Sequence, residues 1–423
     1  MLPPNHPLRL ELNNEVHARP TEGLEAPASL FYVVLYSDAA RRDADWAEAR
    51  AVFSALGHAL PEAPVNHRSI AIGDLRLVLE RHSEFIRYTA IGPAGDGSKS
   101  RLSAVATELG KLTGPLLVAT LVDLRDGRGV ADSDFEALAH ADFGSNVVVG
   151  SNLADGAARA ITDFRIREDG HSRLTFLIDT MRPRQAGRMV QRLLEIDTYR
   201  MMALLALPIA RKLRPAVEEM DRELAEIASA IAQTDSQKEA ELLERLTRLE
   251  ARAHNALGEC QYRFGASAAY HDLVLQRIED LREQRIEGLQ TFYEFTTRRL
   301  SPAMHTCRTT ASSLKELSQR IAQTTDLLAT RVEIVREKQN RELLASMARR
   351  AKLQLQMQRT VEGLSIVAIT YYIMGLVGYA LKGIKGAGVD FNVDLVTGIL
   401  IPVAMAAVAL GLKRLLPERA DRD

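Results

Sequence analysis

Cysteine is nearly missing from this chain. Cys260 and Cys307 are the only two among 423 residues. They match no metal or redox spacing, cannot build a disulfide framework, and fit a reducing cytosol. Net charge is nearly missing too: the formal sum is -1, so no global field favours nucleic acid. The opening MLPPNHPLRLELNNEVHARP has neither an apolar core nor a basic leader, so it does not read as a signal peptide. Proline is absent between Pro302 and Pro402. One helix can therefore run unbroken for on the order of 80 residues, ~120 Å at 1.5 Å per residue. Asp, Glu, Lys, Arg and His are absent from two apolar runs, Gly363 to Leu381 and Leu395 to Leu412. A pump or proton relay normally leaves an ionisable group in such a run.

What is present centres on those two runs. Each is close to the ~20 residues a helix needs to cross a bilayer, and together they predict a transmembrane hairpin. Arg341, Arg349, Arg350, Lys352 and Arg359 precede the first run. Lys413, Arg414, Arg419 and Arg422 come after the second, in a basic tail over 413–423. The turn between them has only Lys382 and Lys385, offset by Asp390 and Asp394. The positive-inside rule then places both termini in the cytoplasm and the turn outside an inner membrane. The basic residues before the first run meet anionic headgroups, so the lipid bilayer is the first expected partner.

The rest of the chain divides at Pro183. Residues 1–182 predict a mixed-sheet α/β domain, after an irregular lead-in. Strands are expected over Ser29 to Ser37, Asp74 to Glu80, Glu84 to Ile91, Leu116 to Leu124, Asn146 to Ser151, Ala157 to Arg167 and Arg173 to Asp179. Helices are expected over Arg41 to Leu56, Ser100 to Leu109 and Asp132 to His140, the last capped by Asp132 or Ser133. GPAGDG, Gly92 to Gly97, lacks the Lys-Ser/Thr of a phosphate loop and reads as a turn. From 183 to 362 helix formers dominate, as a coiled-coil-like stalk. A helix over Gln185 to Leu213 is kinked or ended by Pro208 and Pro215, and breaks are expected near Thr234–Ser236 and Gly265–Ser267. Leu314, Leu317, Ile321, Leu328, Val332, Val335, Leu343 and Met347 form a heptad-like seam. The seam calls for partner helices, and with the two spans it implies a homo-oligomer. The overall class is α+β.

NNEVHARP (Asn13 to Pro20), ERHSEF (Glu80 to Phe85), TDFRI (Thr162 to Ile166), QAGRMVQRLLEIDTYRMMALLALPIA (Gln185 to Ala210) and TVEGLSIVAITYY resemble an uncharacterised bacterial family of predicted membrane-anchored proteins. The resemblance covers nearly the whole chain and implies no activity. By layout, the chain is also similar to the CorA-type magnesium channels, homopentamers whose first span lines a pore. Their Gly-Met-Asn signature is absent. Tyr379, Ala380, Leu381, Lys382 and Gly383 stand in its neighbourhood, with Lys385 adding positive charge at what would be a cation entrance.

Candidate functional residues fall in both the apolar hairpin and the sheet domain. Ser365, Thr370, Tyr371 and Tyr372 are the polar groups of the first run, for pore lining or for helix packing. In the outer turn Asp390, Asn392 and Asp394 form either an acidic ring in an oligomer or a solvated turn with an N-cap at Asp394. Glu15, His17 and Arg19, and His82 with Arg81 and Glu84, supply His–carboxylate pairs at a spacing that puts both on one strand face. Charged residues on a solvated strand are common, and the chain is not expected to be an enzyme; no cofactor is assigned. The leading expectation is an oligomeric ion channel or transporter of CorA-like layout, with a cation as its partner. The alternative is a membrane-anchored scaffold or sensor whose cytosolic domain binds a partner or ligand.

Overall fold

A computed structural model describes residues 3, 5–10, 12–13, 21–233, 238–386 and 392–415. Two compact units emerge, Met1–Gln233 with Glu241–Thr325, and Thr234–Ala240 with Asp326–Asp423.

The first unit is organised by one mixed sheet. Its strands are β1 (Ala28–Tyr36), β2 (His67–Ile72), β3 (Leu75–Arg81), β4 (Phe85–Pro93), β5 (Leu116–Asp126), β6 (Val149–Leu153), β7 (Ala158–Thr162), β8 (Ser172–Ile178) and β9 (Gln284–Arg285). They lie in the order β2-β3-β4-β1-β5-β8-β7-β6-β9. β5 and β8 run parallel, and the other ladders between these strands are antiparallel. Side-chain alternation on β1 gives the sheet two apolar faces. Phe31, Val33 and Leu35 pack with Trp46 and Phe53 of α1 (Arg42–Ala55) and with Val105 and Leu109 of α2 (Asp96–Leu109). Tyr32 points the other way and meets Thr198 of α4 (Pro183–Leu204), oxygen to oxygen 2.8 Å. A second core joins Phe135 and Phe143 of α3 (Asp132–Phe143) to Ile161, Leu177 and Ile286. Each such side chain contributes roughly 1.5–3 kcal/mol on burial.

Beyond α4 come α5 (Ala206–Gln233), α6 (Glu239–Asp280), α7 (Phe292–Arg299) and α8 (Ser301–Gly386). Met220, Leu224, Leu246, Leu249, Leu314, Leu317 and Ile321 from α5, α6 and the start of α8 are buried. Arg252 reaches Glu223 at 2.8 Å, and Arg320 reaches Asp221 at 2.7 Å.

The expected α+β class, with its N-terminal mixed sheet and long helices, is the one adopted. Several details differ. β2 was not anticipated, because HRSIAI carries charge and an alanine and waits on β3 for its pairing. Strand structure also returns after Pro183. The Glu283 carboxylate accepts from the Ser151 hydroxyl at 2.7 Å and from the backbone N–H groups of Phe292 and Tyr293 at 2.9 and 2.8 Å. That anchor lays Gln284–Arg285 against β6. The strand expected to reach Arg167 ends at Thr162, where Phe164 turns to a positive φ of 51°. The helix expected over Gln185 to Leu213 divides at Leu205, and Pro208 falls in the first turn of α5, where no N–H is needed. Pro215 lies inside α5 and ends nothing, and α6 runs through Gly265–Ser267 unbroken. Ala131, not Asp132 or Ser133, is the N-cap of α3. Gly92 to Gly97 is not wholly a turn, since α2 begins at Asp96.

In the second unit Glu239 pairs with Arg331 at 2.7 Å. The rest is the long remainder of α8 and α9 (Val393–Leu415). Two helices, within Phe292–Ile384 and Val393–Leu412, each hold a window long and apolar enough to cross a membrane. Leu364, Val367, Leu376, Leu395, Val403 and Leu410 are exposed there. So are Leu343, Leu344, Met347 and Leu355, on the part of α8 that precedes the apolar run.

Two glycines test the packing. A Cβ on Gly187 of α4 would strike the Glu22 carbonyl oxygen, so Gly187→Ala is expected to lose about 1–3 kcal/mol by forcing backbone apart. A Cβ on Gly258 of α6 meets nothing within 4 Å, so Gly258→Ala should gain up to ~1 kcal/mol of helix propensity. Thermal unfolding of the two variants should shift in opposite directions.

Candidate functional site

The β3–β4 hairpin tip is where one candidate pair, His82 and Glu84, was expected to meet. The structure sends them to different partners. The His82 ring stacks on Phe85, centroids 4.2 Å apart. The Glu84 carboxylate takes both terminal nitrogens of Arg263 from α6, at 2.7 and 3.0 Å. Both members of that ion pair are buried. The two residues sit where the chain turns between strands, so the one-face alternation of a continuous strand does not apply. Burial first, and the Glu84 carboxylate second, raise the Tyr270 phenol above its ordinary value. Glu15, His17, Arg19, Asp390 and the Lys385 side chain lie outside the described residues.

One turn deeper, Glu80 faces Arg87 across the β3–β4 ladder. Arg87 holds the Glu80 carboxylate through Nε and reaches Glu195 of α4 through Nη1 at 3.2 Å. Glu195 in turn accepts from Arg277 of α6 at 2.6 Å and from Gln191 at 2.8 Å. Two carboxylates and two guanidiniums thus balance in the interior, as buried charges must. Burial alone would raise the Glu195 carboxyl. The Arg87 guanidinium, then the Arg277 and Gln191 hydrogen bonds, outweigh it and hold the group below the usual carboxylate range. A cavity of about 60 Å³ beside Tyr32, Glu80, Arg87 and Gln191 has room for water and not for an organic ligand. Sequence reading missed this network. Glu80 and Glu195 fall within the motifs ERHSEF and LLEIDTYR, but nothing local says they share a guanidinium.

The opposite sheet face carries a larger opening. Between α2 and α3 lies a cleft of about 700 Å³, floored by Phe31, Leu121 and Leu174. Its rim holds Lys99, Arg125, Arg167, His171 and Arg173, with Asp123 and Asp142. Arg125 is held by Asp123 at 2.7 Å and Asp142 at 3.0 Å. Arg167 donates to the Asp142 carbonyl at 2.6 Å and lies over the Phe143 ring at 5.6 Å. Arg173 pairs with Asp169. An apolar floor, a charged rim and this volume are those of a small-molecule or peptide site. The cleft was also missed, because its residues come from five separate elements.

The residues expected in the apolar runs divide by face. Thr370 is buried, Ser365 is half-buried, and Tyr371 and Tyr372 are exposed with their rings 6.0 Å apart, edge to face. Ser365 donates to the Val361 carbonyl at 2.9 Å and Thr370 to the Ile366 carbonyl at 2.7 Å. The hydroxyl protons are thus satisfied within the helix itself. The N-cap expected at Asp394 lies two residues earlier. Asn392 Oδ1 accepts from the N–H groups of Asp394 and Leu395 at 3.2 and 3.3 Å, and Asp394 is an acidic residue of the first turn. Among the described residues no group of three or more His, Cys, Asp or Glu side chains is placed to hold a metal.

These features define an α+β protein with a nine-stranded sheet unit, a long helical region and two exposed apolar runs near its C-terminal end. Across residues 4–418 the chain matches the family described as Protein of unknown function (DUF3422), and it belongs to that family. None of the curated proteins matches it.

Removing the central guanidinium should be costly, since two carboxylates would stay buried without it. Arg87→Met is expected to lose about 3–5 kcal/mol, read as a large drop in the thermal midpoint. Glu195 contributes to the acid limb, with Asp74, Asp126 and Asp169 also held low. The folded value of Glu195 lies below the unfolded ~4.3, so its contribution is full above that pH and is lost as pH falls through the folded value. Stability measured from pH 6 down to 2 should therefore fall less steeply below ~4.3 in Glu195→Gln than in the parent chain.

Proposed function

We propose that this chain is a membrane-anchored sensor or scaffold, not an enzyme. The two apolar helices hold it in an inner membrane, with both termini cytoplasmic, and the sheet unit binds a ligand or partner in the cleft between α2 and α3. One observation carries the reading. α8 is a single helix whose early turns bury Leu314, Leu317 and Ile321 in the sheet unit, and whose later turns are the exposed apolar run. The helix that packs in the sheet unit is thus the one that continues, in sequence, into the apolar segment. The absence of charge in both runs and the hydroxyls bonded to their own backbone support an anchor over a conduit.

A second reading, an oligomeric channel of CorA-like layout passing a cation, draws on a different observation. Leu343, Leu344, Met347 and Leu355 are exposed on α8 before the apolar run, and such a face in water calls for another copy of the chain. Oligomerisation suits both readings; conduction separates them.

Full-length protein should stay with membranes through alkaline carbonate extraction and run as more than one copy in detergent by light scattering. In proteoliposomes it should pass none of a panel of mono- and divalent ions. A flux that falls on Tyr371→Ala would replace the sensor reading with the channel.

A further inference from the structure

Where α6 runs beside the early turns of α8 there is a second pocket, of about 370 Å³. Its walls are mainly apolar, with Leu257, Phe264, Ala268 and Ala311 among them. Its polar groups are unusual in sign. Arg308 and Lys315 line it from α8, and no carboxylate is among the lining residues. Among the described residues neither cation is in an ion pair, and both are exposed.

Gln261, Ser267 and His271 of α6 are its other polar groups, and His271 is the one left without a partner. It is 7% exposed, and neither ring nitrogen has a hydrogen-bond partner. The nearest carboxylate, Asp272, stands 3.8 Å from Nδ1, a long contact that leaves Nε2 without any partner. Burial holds the imidazole below its ordinary pKa, Asp272 opposing this and Arg308 adding to it. Burial thus favours the neutral ring, which has one N–H and one lone pair. A buried donor without an acceptor is rare in folded proteins and costs about 1–3 kcal/mol. A neighbouring acceptor would remove that cost, and with two unpaired cations at the same pocket the acceptor is an anion. The apolar walls call for a hydrocarbon body behind it.

We propose that this pocket binds an amphipathic anion: a medium-length hydrocarbon chain ending in a carboxylate or phosphate. The chain lies against Leu257, Phe264 and Ala268. The head sits between Arg308 and Lys315 and accepts the His271 N–H once the side chains over the ring move aside. The assignment needs neither membrane insertion nor the larger cleft, so it stands or falls apart from the sensor reading. If both hold, the ligand touches α8 itself and reports on the helix that continues into the apolar run.

The test is calorimetric titration of the full-length chain in nanodiscs, with empty nanodiscs subtracted. The probes are octanoate, octyl phosphate, octanol and octyltrimethylammonium. One or both anions should bind at least tenfold tighter than the alcohol and the cation, and which anion binds decides the head. Arg308→Glu combined with Lys315→Glu, both at exposed positions, should cost the anion at least tenfold and leave octanol unchanged. Ala268→Phe, which fills the pocket, should abolish binding of all four. Equal affinity for anion and cation, or an anion affinity indifferent to the charge reversal in a chain with an unchanged melting profile, overturns the proposal.

Discussion

The constraint on which the sheet unit depends is the interior chain of charges Glu80–Arg87–Glu195–Arg277. Two of its members belong to a β-hairpin, one to α4 and one to α6. Hydrophobic packing would let these helices slide over the sheet with little penalty, since apolar contact is non-directional. A buried guanidinium allows no such slack, because each misplaced N–H or carboxylate oxygen is left without water or partner. The network therefore sets the register in which α4 and α6 dock. The nearby pair Glu84–Arg263 does the same a few residues along the same hairpin.

That docking matters because α6 leads, through β9 and α7, into the longest helix among the described residues. α7 is fixed by the capping box of Thr291 and Glu294, and α8 begins directly after it. The first turns of α8 inherit their position from helices that the ion network has placed.

Much of the fold was legible beforehand. β1 and β5 announce themselves by dense β-branched and aromatic composition, and the apolar runs by length and lack of charge. Elements that borrow their stability were not legible. β2 is polar and alternates weakly, and forms on β3. The two residues of β9 are a strand only because Glu283 anchors the segment beside β6. The helix divides beside Pro208, as expected, whereas Pro215 is absorbed within α5, and local sequence does not say which of two prolines a helix tolerates. At the candidate sites the same limit holds. His82 and Glu84 have a spacing that suggests partnership, yet Glu84 finds Arg263 nearly two hundred positions away.

By itself, the sequence determined what depends on composition and short-range period: the α+β class, the strand-rich first part, the helical remainder, and two uncharged runs of bilayer length. These are local properties, since hydrogen bonding within a helix and side-chain alternation along a strand repeat over a few residues. Only the tertiary structure decided which charges meet. It paired Arg87 with Glu80 and Glu195, opened the cleft between α2 and α3, and left the His271 donor unmet beside Arg308 and Lys315. Most such contacts join residues far apart in the chain, and their energies hinge on distances of an ångström or less and on burial, which no one-dimensional pattern carries.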